Sequence, residues 1–357
     1  MIFALCVFGP FGTTVSSMAL EPPLEILVYR NQLIDGSKSA LQLHGVNKSG
    51  TEYACAQGWG IFDGKADTKT VEAMKTWNIN VVRVPLNESC WLGINGVKPK
   101  YSGLLYRKAI TDWVQLLNQN RIYVILDLHI SNYGNNLALK MSDMANADHS
   151  IDFWQSVGST FVDDKSVMFD AFNEPKGITW SCWRDGCTTK AGWKTAGMQQ
   201  IVNAIRATGA TQPIILEGIS TATDLSRWME FKPIDPLNQL VASNHNYIGM
   251  TGSNTEPAWN RKYASIALQV PVITGELGQQ NCMHDYVDRY MNWADGEGIS
   301  YLGWTWNATS KYWKCDGGES MIATESGKPS NLGIGFKNHF RDRAHLIAGN
   351  STALALR

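Results

Sequence analysis

A chain of 357 residues could hold two average domains, and with 44% hydrophobic residues it has ample material for a core. Lysine and arginine number 31 against 32 aspartates and glutamates, a net charge of -1, so there is no basic surplus for a nucleic acid or an anionic membrane. No apolar run reaches the roughly 18 residues that would span a bilayer.

Met1 to Ala19 opens on the apolar Ile2-Phe3-Ala4-Leu5-Cys6-Val7-Phe8 and ends on the small-residue sequence Ser17-Met18-Ala19. It reads as a signal peptide over residues 1–19, although no Lys or Arg precedes the apolar run. The expectation is a secreted protein whose residues 20–357 form one domain. Next, Ile26–Tyr29 and Gln32–Ile34 flank Arg30-Asn31 as a small hairpin that caps the fold.

Strand-like apolar runs then recur at Leu41–Val46, Val81–Leu86, Tyr123–His129, Val167–Phe172, Pro213–Leu216, Leu240–Ser243, Val270–Thr274 and Tyr301–Trp306. Between most of them lie segments with helical spacing, such as Val71-Met74-Trp77, Ile110-Trp113-Val114-Leu117, Ile151-Trp154-Val157-Phe161, Met198-Ile201-Ile205 and Tyr286-Tyr290-Trp293. Eight strands alternating with helices predict a closed parallel (β/α)8 TIM barrel. No Gly-x-Gly-x-x-Gly opens a helix, which argues against a doubly wound open sheet.

Such a barrel builds its active site from strand ends and the loops that follow them, and there the unusual polar residues cluster. The run Val167 to Pro175 starts as a buried strand and ends in Asn173-Glu174-Pro175, where the proline lacks an N–H for the ladder. A second such terminus, Val270 to Gly278, carries Glu276. Other strand ends supply His44, Asn47, Arg83, Asp127, His129, Glu217, His245, Tyr247, Trp304 and Trp306. Long loops at 48–68, 87–103, 130–150 and 176–190 form the walls of a cleft.

Fourteen tryptophans are far more than an average chain carries. Trp59, Trp91, Trp180, Trp183 and Trp313 lie in polar, loop-like sequence, where they are either wide core aromatics or flat platforms for sugar rings. Without Cys6, six cysteines remain, an even number that permits disulfides in an exported protein. Cys182 and Cys187 have four residues between them in one loop; Cys55 with Cys90, and Cys282 with Cys315, lie in rim loops expected to be neighbours. No Cys-x-x-Cys or paired histidine suggests zinc. Sequons start at Asn47, Asn87, Asn307 and Asn350, the first three at strand ends, where chance is the better account.

From about Gly45 to Trp306 the chain resembles the family 5 glycoside hydrolases, the large cellulase-containing family of retaining barrel enzymes. The resemblance rests on Arg83 in Val-Arg-Val-Pro, His129 in Asp-Leu-His, Asn173-Glu174-Pro175, His245-x-Tyr247, Glu276 before Leu-Gly, and Trp304 in Trp-Thr-Trp-Asn. It implies Glu174 as the acid/base and Glu276 as the nucleophile. Arg83, His129, Asn173, His245, Tyr247 and Trp304 are implied as substrate-binding or supporting residues, with Trp304 rather than Trp306 as the floor beneath the reacting ring.

The chemistry explains this residue set. A retaining glycosidase needs one carboxylic acid to protonate the departing oxygen and one carboxylate about 5 Å away to attack the anomeric carbon. The two must sit in different environments, with a cation such as Arg83 and a donor such as Tyr247 keeping the nucleophile ionised. Glu217 is a third strand-end glutamate and competes for a catalytic role, Asp127 reads as structural support, and His44 either touches substrate or fills its strand's end. The expected substrate is a β-1,4-linked polysaccharide, cellulose-like glucan, cleaved by a monomer without metal or cofactor. Mannan, xyloglucan or a β-glucosidase substrate are the alternatives within the same chemistry. Outside it stand a non-catalytic glycan-binding barrel, whose mark would be loss of Glu174 or Glu276, and a metal-dependent hydrolase, whose strand ends would be rich in His and Asp.

Overall fold

The computed structural model describes residues 24–249, 254–281, 283–308 and 319–355, with side chains in the last helix described as far as residue 344. Strands β1 (Ile26–Tyr29) and β2 (Gln32–Asp35) pair antiparallel as the expected hairpin. Eight parallel strands then close into a barrel: β3 (His44–Asn47), β4 (Val81–Asn87), β5 (Tyr123–Ile130), β6 (Val167–Asp170), β7 (Ile214–Glu217), β8 (Leu240–Tyr247), β9 (Val272–Gly278) and β10 (Ser300–Gly303). β10 pairs with both β9 and β3, so no edge is left open.

Helices cover the outside where the 3.6-residue spacing predicts them, at Thr68–Lys75, Leu104–Gln119, Ser150–Thr160, Met198–Ala207 and Asp285–Gly296. A further helix, Asn331–Ala355, follows β10 and was not among the predicted segments. Its buried Leu332, Phe336 and Phe340 pack onto the barrel wall.

Two apolar cores follow from strand alternation. Val82, Val84, Val124, Leu126, Phe169 and Leu216 face the helices. Val81, Tyr123, Ile125, Met168, Ile215, Val241, Ile273 and Leu302 fill the barrel's interior, closed below by Ile26 and Leu33 of the hairpin. Two residues further along each strand the same inward face carries Arg83, Asp127, Asp170, Glu217 and Ser243, all buried. The interior therefore changes from apolar to charged toward the strands' C-terminal ends.

His44 lies at the opposite end. It starts β3, stands 3.3 Å from Asp295, and packs against Tyr301 and Phe340, so it fills the strand's beginning and contributes nothing to the rim. Cys55–Cys90 ties the loop after β3 to the segment after β4, and Cys182–Cys187 closes a turn after β6. Cys282 and Cys315 lie outside the described residues. Asn47 and Asn87 are wholly buried, and Asn87 caps helix Glu88–Leu92, so these two sequons cannot carry glycans. The side chain of Asn350 is outside the described residues.

Candidate active site

Arg83 is the hub of the charged layer. From β4 its Nε donates to Asp170 Oδ2 at 2.9 Å, Nη1 to Glu276 Oε1 at 2.9 Å and Asn47 Oδ1 at 3.0 Å, and Nη2 to Asn173 Oδ1 and Glu217 Oε1 at 2.9 Å each. Asp127 Oδ2 lies 3.0 Å from Nη2. Burial opposes the charge, but these carboxylates outweigh it and hold the guanidinium permanently cationic. Burial and the neighbouring Glu217 charge push Asp170 well above the carboxylate range, since one cation cannot neutralise every acid around it.

Glu276 depends on an irregularity in β9. Ile273 faces the barrel interior and Thr274 the helices, where it meets Tyr290. Strict alternation would then turn Glu276 outward, but the register slips so that His245 pairs with Glu276 instead of Gly275. The extra residue reverses the parity, and Leu277 joins the outer core while Glu276 points into the mouth. Gly275 is suited to this place: a Cβ there would lie 3.0 Å from Ser243 Oγ and 3.2 Å from His245 Nε2. Gly278 likewise leaves room for the ring of Tyr247, which a Cβ would meet at 2.4 Å. Tyr247 uses that room to donate its O–H to Glu276 Oε2 at 2.6 Å.

Glu174 follows β6 with φ 52, a left-handed conformation rare for a residue with a side chain. Its N–H donates to Glu217 Oε2 at 2.6 Å, and its Oε1 lies 3.0 Å from His245 Nδ1. The other ring nitrogen, Nε2, is 3.0 Å from Glu217 Oε1, in charge contact though off the line of an ideal hydrogen bond. Burial works against a charged His245, but Glu217 and Glu276 raise its pKa well above the ordinary value. Burial raises Glu217 in turn, and His245 and Arg83 overcome this and bring it down to about 2.

His129 Nδ1 is 2.7 Å from Asp127 Oδ2, and the ring stacks on Trp304 at 5.4 Å with 11° between planes. Burial lowers His129, and Asp127 more than compensates, leaving its pKa raised. The structural-support reading of Asp127 is therefore what the geometry has. Trp304 lines the cleft, whereas Trp306 is buried against Trp77.

The cleft holds about 650 Å³ and is lined by His129, Asn173, Glu174, Tyr247, Glu276 and Trp304 together with Met141, Gln280 and Glu319. All eight residues singled out from the sequence thus meet in one place, with Arg83 and His245 just beneath the surface. One oxygen of Glu174, one of Glu276 and one nitrogen of His245 lie within 4.8 Å of one another, the one such metal-like spacing found among the described residues. Arg83, Tyr247 and Glu217 already engage Glu276 and His245 from within the protein.

Sequence reasoning missed Asp170, though alternation from Met168 would have placed it inward. It also missed Gln280 and Glu319, which nothing local distinguishes. Gln280 donates to Glu319 Oε1 at 2.6 Å, and burial together with Glu276 and Glu174 raises the Glu319 carboxyl. The tryptophan platforms need correction. Trp91 and Trp183 are wholly buried and Trp180 is 5% exposed, so all three are core; Trp59, 47% exposed, is the one open to solvent, and Trp313 lies outside the described residues. The N–H of Trp183 donates to Glu217 O at 2.9 Å, so this ring buttresses the site from behind.

Residues 34–310 match the family model for cellulase, glycosyl hydrolase family 5. The chain belongs to that family. Family 5 membership makes it a glycoside hydrolase acting on O-glycosyl bonds. It is 25% identical over 332 residues to endoglucanase A of Butyrivibrio fibrisolvens, covering 90% of this chain and 68% of that one. An endoglucanase of Neurospora crassa is 27% identical over 231 residues, 60% of this chain and 52% of its own length. A mannan endo-1,4-beta-mannosidase of Streptomyces lividans is 23% identical over 297 residues, 79% of this chain and 66% of that protein. Among solved structures, the β-glucanase of Saccharophagus degradans in complex with cellotetraose superposes with a TM-score of 0.69 at 20% identity, covering 94% of this chain and 98% of that one. At that identity the likeness bears on the family 5 fold alone.

Proposed function

We propose that the chain is a secreted, retaining endo-β-1,4-glucanase acting on a cellulose-like glucan as a monomer. The observation that carries this reading is the approach of Glu174 and Glu276 to within 4.8 Å across an open cleft. That spacing suits direct attack by one carboxylate, whereas an inverting pair needs roughly 6.5–9.5 Å to admit a water.

In the first step a Glu276 oxygen attacks the anomeric carbon. Arg83 and Tyr247 hold its two oxygens apart and aimed, at 2.9 and 2.6 Å. Glu174 gives a proton to the departing glycosidic oxygen as the bond breaks. In the second step Glu174 takes a proton from water, which releases the sugar from Glu276. Asn173, its Oδ1 held by Arg83 and its Nδ2 donating to Met141 Sδ at 3.2 Å, lines the cleft where it can offer its amide to the sugar's 2-hydroxyl, Trp304 forms the floor, and His129 stacks beside it. No cofactor enters these steps. The glucan assignment is supported by the endoglucanases among the relatives, and secretion by the two disulfides.

The test is reducing-sugar release by the wild type beside Glu174→Gln and Glu276→Gln on β-1,4-glucan, mixed-linkage glucan, xyloglucan, mannan and xylan. Cleavage of β-1,4-glucan, lost in both variants, supports the proposal. Preference for mannan moves the substrate and keeps the mechanism. No release from any polymer by folded wild type refutes the endo-glycanase reading.

A further inference from the structure

Glu217 has no part in the steps above, yet it lies wholly buried at the centre of the site. Its two oxygens reach the Glu174 residue by separate routes. Oε2 accepts the Glu174 N–H at 2.6 Å, while Oε1 lies 3.0 Å from His245 Nε2, and the far side of that ring lies 3.0 Å from Glu174 Oε1. A bond from N–H to carboxylate is of the stronger, charge-assisted kind. Here it holds a residue at φ 52, where the left-handed turn re-aims the side chain after β6.

A purely structural ion pair with Arg83, which Glu217 also makes at 2.9 Å, would account for neither of these contacts. The guanidinium already meets Asp127, Asp170 and Glu276. The histidine has a choice that Arg83 lacks, because either ring nitrogen of a neutral imidazole can carry the proton, and the partner of one nitrogen decides the state of the other. The Glu217 charge, 3.0 Å from Nε2 though off the ideal hydrogen-bond line, favours a hydrogen on that nitrogen. Nδ1 is then the atom that shares a proton with Glu174.

We propose that Glu217 is a positioning residue for proton transfer: it fixes the Glu174 main chain and the Nε2–H form of His245, so that one transferable proton is held between His245 Nδ1 and Glu174 Oε1. The proposal rests on Glu174 being the acid/base. In glycosylation that proton passes to the glycosidic oxygen, which also receives the electron pair of the breaking bond, while a lone pair of Glu276 forms the new bond to carbon. In the second half a water oxygen bonds to the same carbon, the pair of the sugar–Glu276 bond returns to Glu276, and the water's proton refills the His245–Glu174 contact. The charged neighbours of this chain of groups are Arg83 from β4, Glu276 from β9, Asp127 and Asp170 on the same guanidinium, and Glu319 at the cleft wall, whose charge acts on Glu174 and Glu276.

The test compares Glu217→Gln with Glu174→Gln on two substrates: the oligosaccharide cut by the wild type, and the matching 2,4-dinitrophenyl glycoside, whose leaving group departs without a proton. The ratio kcat/KM reports the glycosylation half alone. For Glu217→Gln the loss on the oligosaccharide is expected to exceed that on the dinitrophenyl glycoside at least tenfold, a part of the roughly 10²–10⁴-fold that general acid catalysis supplies. Nitrogen-15 NMR of His245 should show Nε2 protonated above pH 8 in the wild type and a lower titration midpoint in Glu217→Gln. Equal losses on both substrates, or an unmoved His245 titration, would overturn the proposal. If Glu174→Gln itself shows equal losses, the acid/base reading fails and takes the proposal with it. If only Glu217→Gln does, the role of Glu217 alone is wrong. Should Glu217→Gln not fold, His245→Asn takes its place: the same leaving-group dependence supports the relay, and its absence refutes it.

Discussion

Arg83→Lys should damage both the fold and the reaction, by amounts that follow from geometry. The guanidinium makes five hydrogen bonds at 2.9–3.0 Å from three nitrogens aimed in different directions. An ammonium has three N–H groups on one atom, so at least two bonds are lost. Hydrogen bonds to charged groups are worth about 1.5–3 kcal/mol each, which puts the destabilisation at about 3–6 kcal/mol. If Glu276 is among the partners abandoned, one such bond corresponds to a fall in kcat of roughly 10- to 150-fold. KM should hold, because Arg83 is wholly buried and touches no substrate. Denaturant unfolding and steady-state kinetics on the same preparation check both numbers. A variant with unfolding energy within 1 kcal/mol of wild type and kcat within threefold would refute the view of Arg83 as the hub.

Tyr247→Phe removes the 2.6 Å bond to Glu276 Oε2, leaving that oxygen only His245 at 3.5 Å; kcat/KM on oligosaccharide should fall about 10- to 100-fold with little change in melting temperature. Trp91→Ala should cost about 3–5 kcal/mol of stability by opening a core cavity, and KM for oligosaccharide should stay within twofold, because this ring is wholly buried and makes no platform. Stability should peak in mild acid, seen as a maximum of melting temperature near pH 5. Burial pushes Glu88 up to about 7, so between its ordinary 4.5 and that value the folded state binds a proton the unfolded state lacks, and stability falls as pH rises. The raised His245 and His129 act in the same direction: their contribution is full below the ordinary 6.5 and is lost as pH climbs through their folded values. On the acid side the lowered Glu217 and Asp295 contribute stability above the ordinary carboxylate range, lost as pH drops through their folded values. A melting temperature that rises steadily from pH 6 to 9 would contradict this balance.

Much of the molecule was legible in the chain because burial acts locally and periodically. Each barrel strand announces itself as an apolar run, and Asn173-Glu174-Pro175 lies just past the end of β6 at Asp170; Pro85 shows that a proline alone does not end a strand here, since it sits within β4 opposite Asp127. Asp127 and His129 share a face by simple alternation, and so they do in the fold. The tryptophans show where such reading stops. Trp91 and Trp183 sit among polar neighbours in sequence, but their burial depends on Phe153, Tyr106 and Trp180, which come from other segments or another turn.

The sequence by itself determined the eight-stranded barrel and the set of polar strand ends, since these follow from hydrophobic period, while the choice of Glu174 and Glu276 among those ends is what the resemblance to family 5 implies. Only the tertiary structure decided which way those residues point. The slipped register of β9 turns Glu276 into the mouth, and the meeting of β4, β6, β7 and β8 makes Glu217 the partner of Arg83, His245 and the Glu174 main chain. The physical reason is that side-chain parity and charge pairing are properties of neighbouring strands, and in a barrel those neighbours are brought together from stretches of chain far apart.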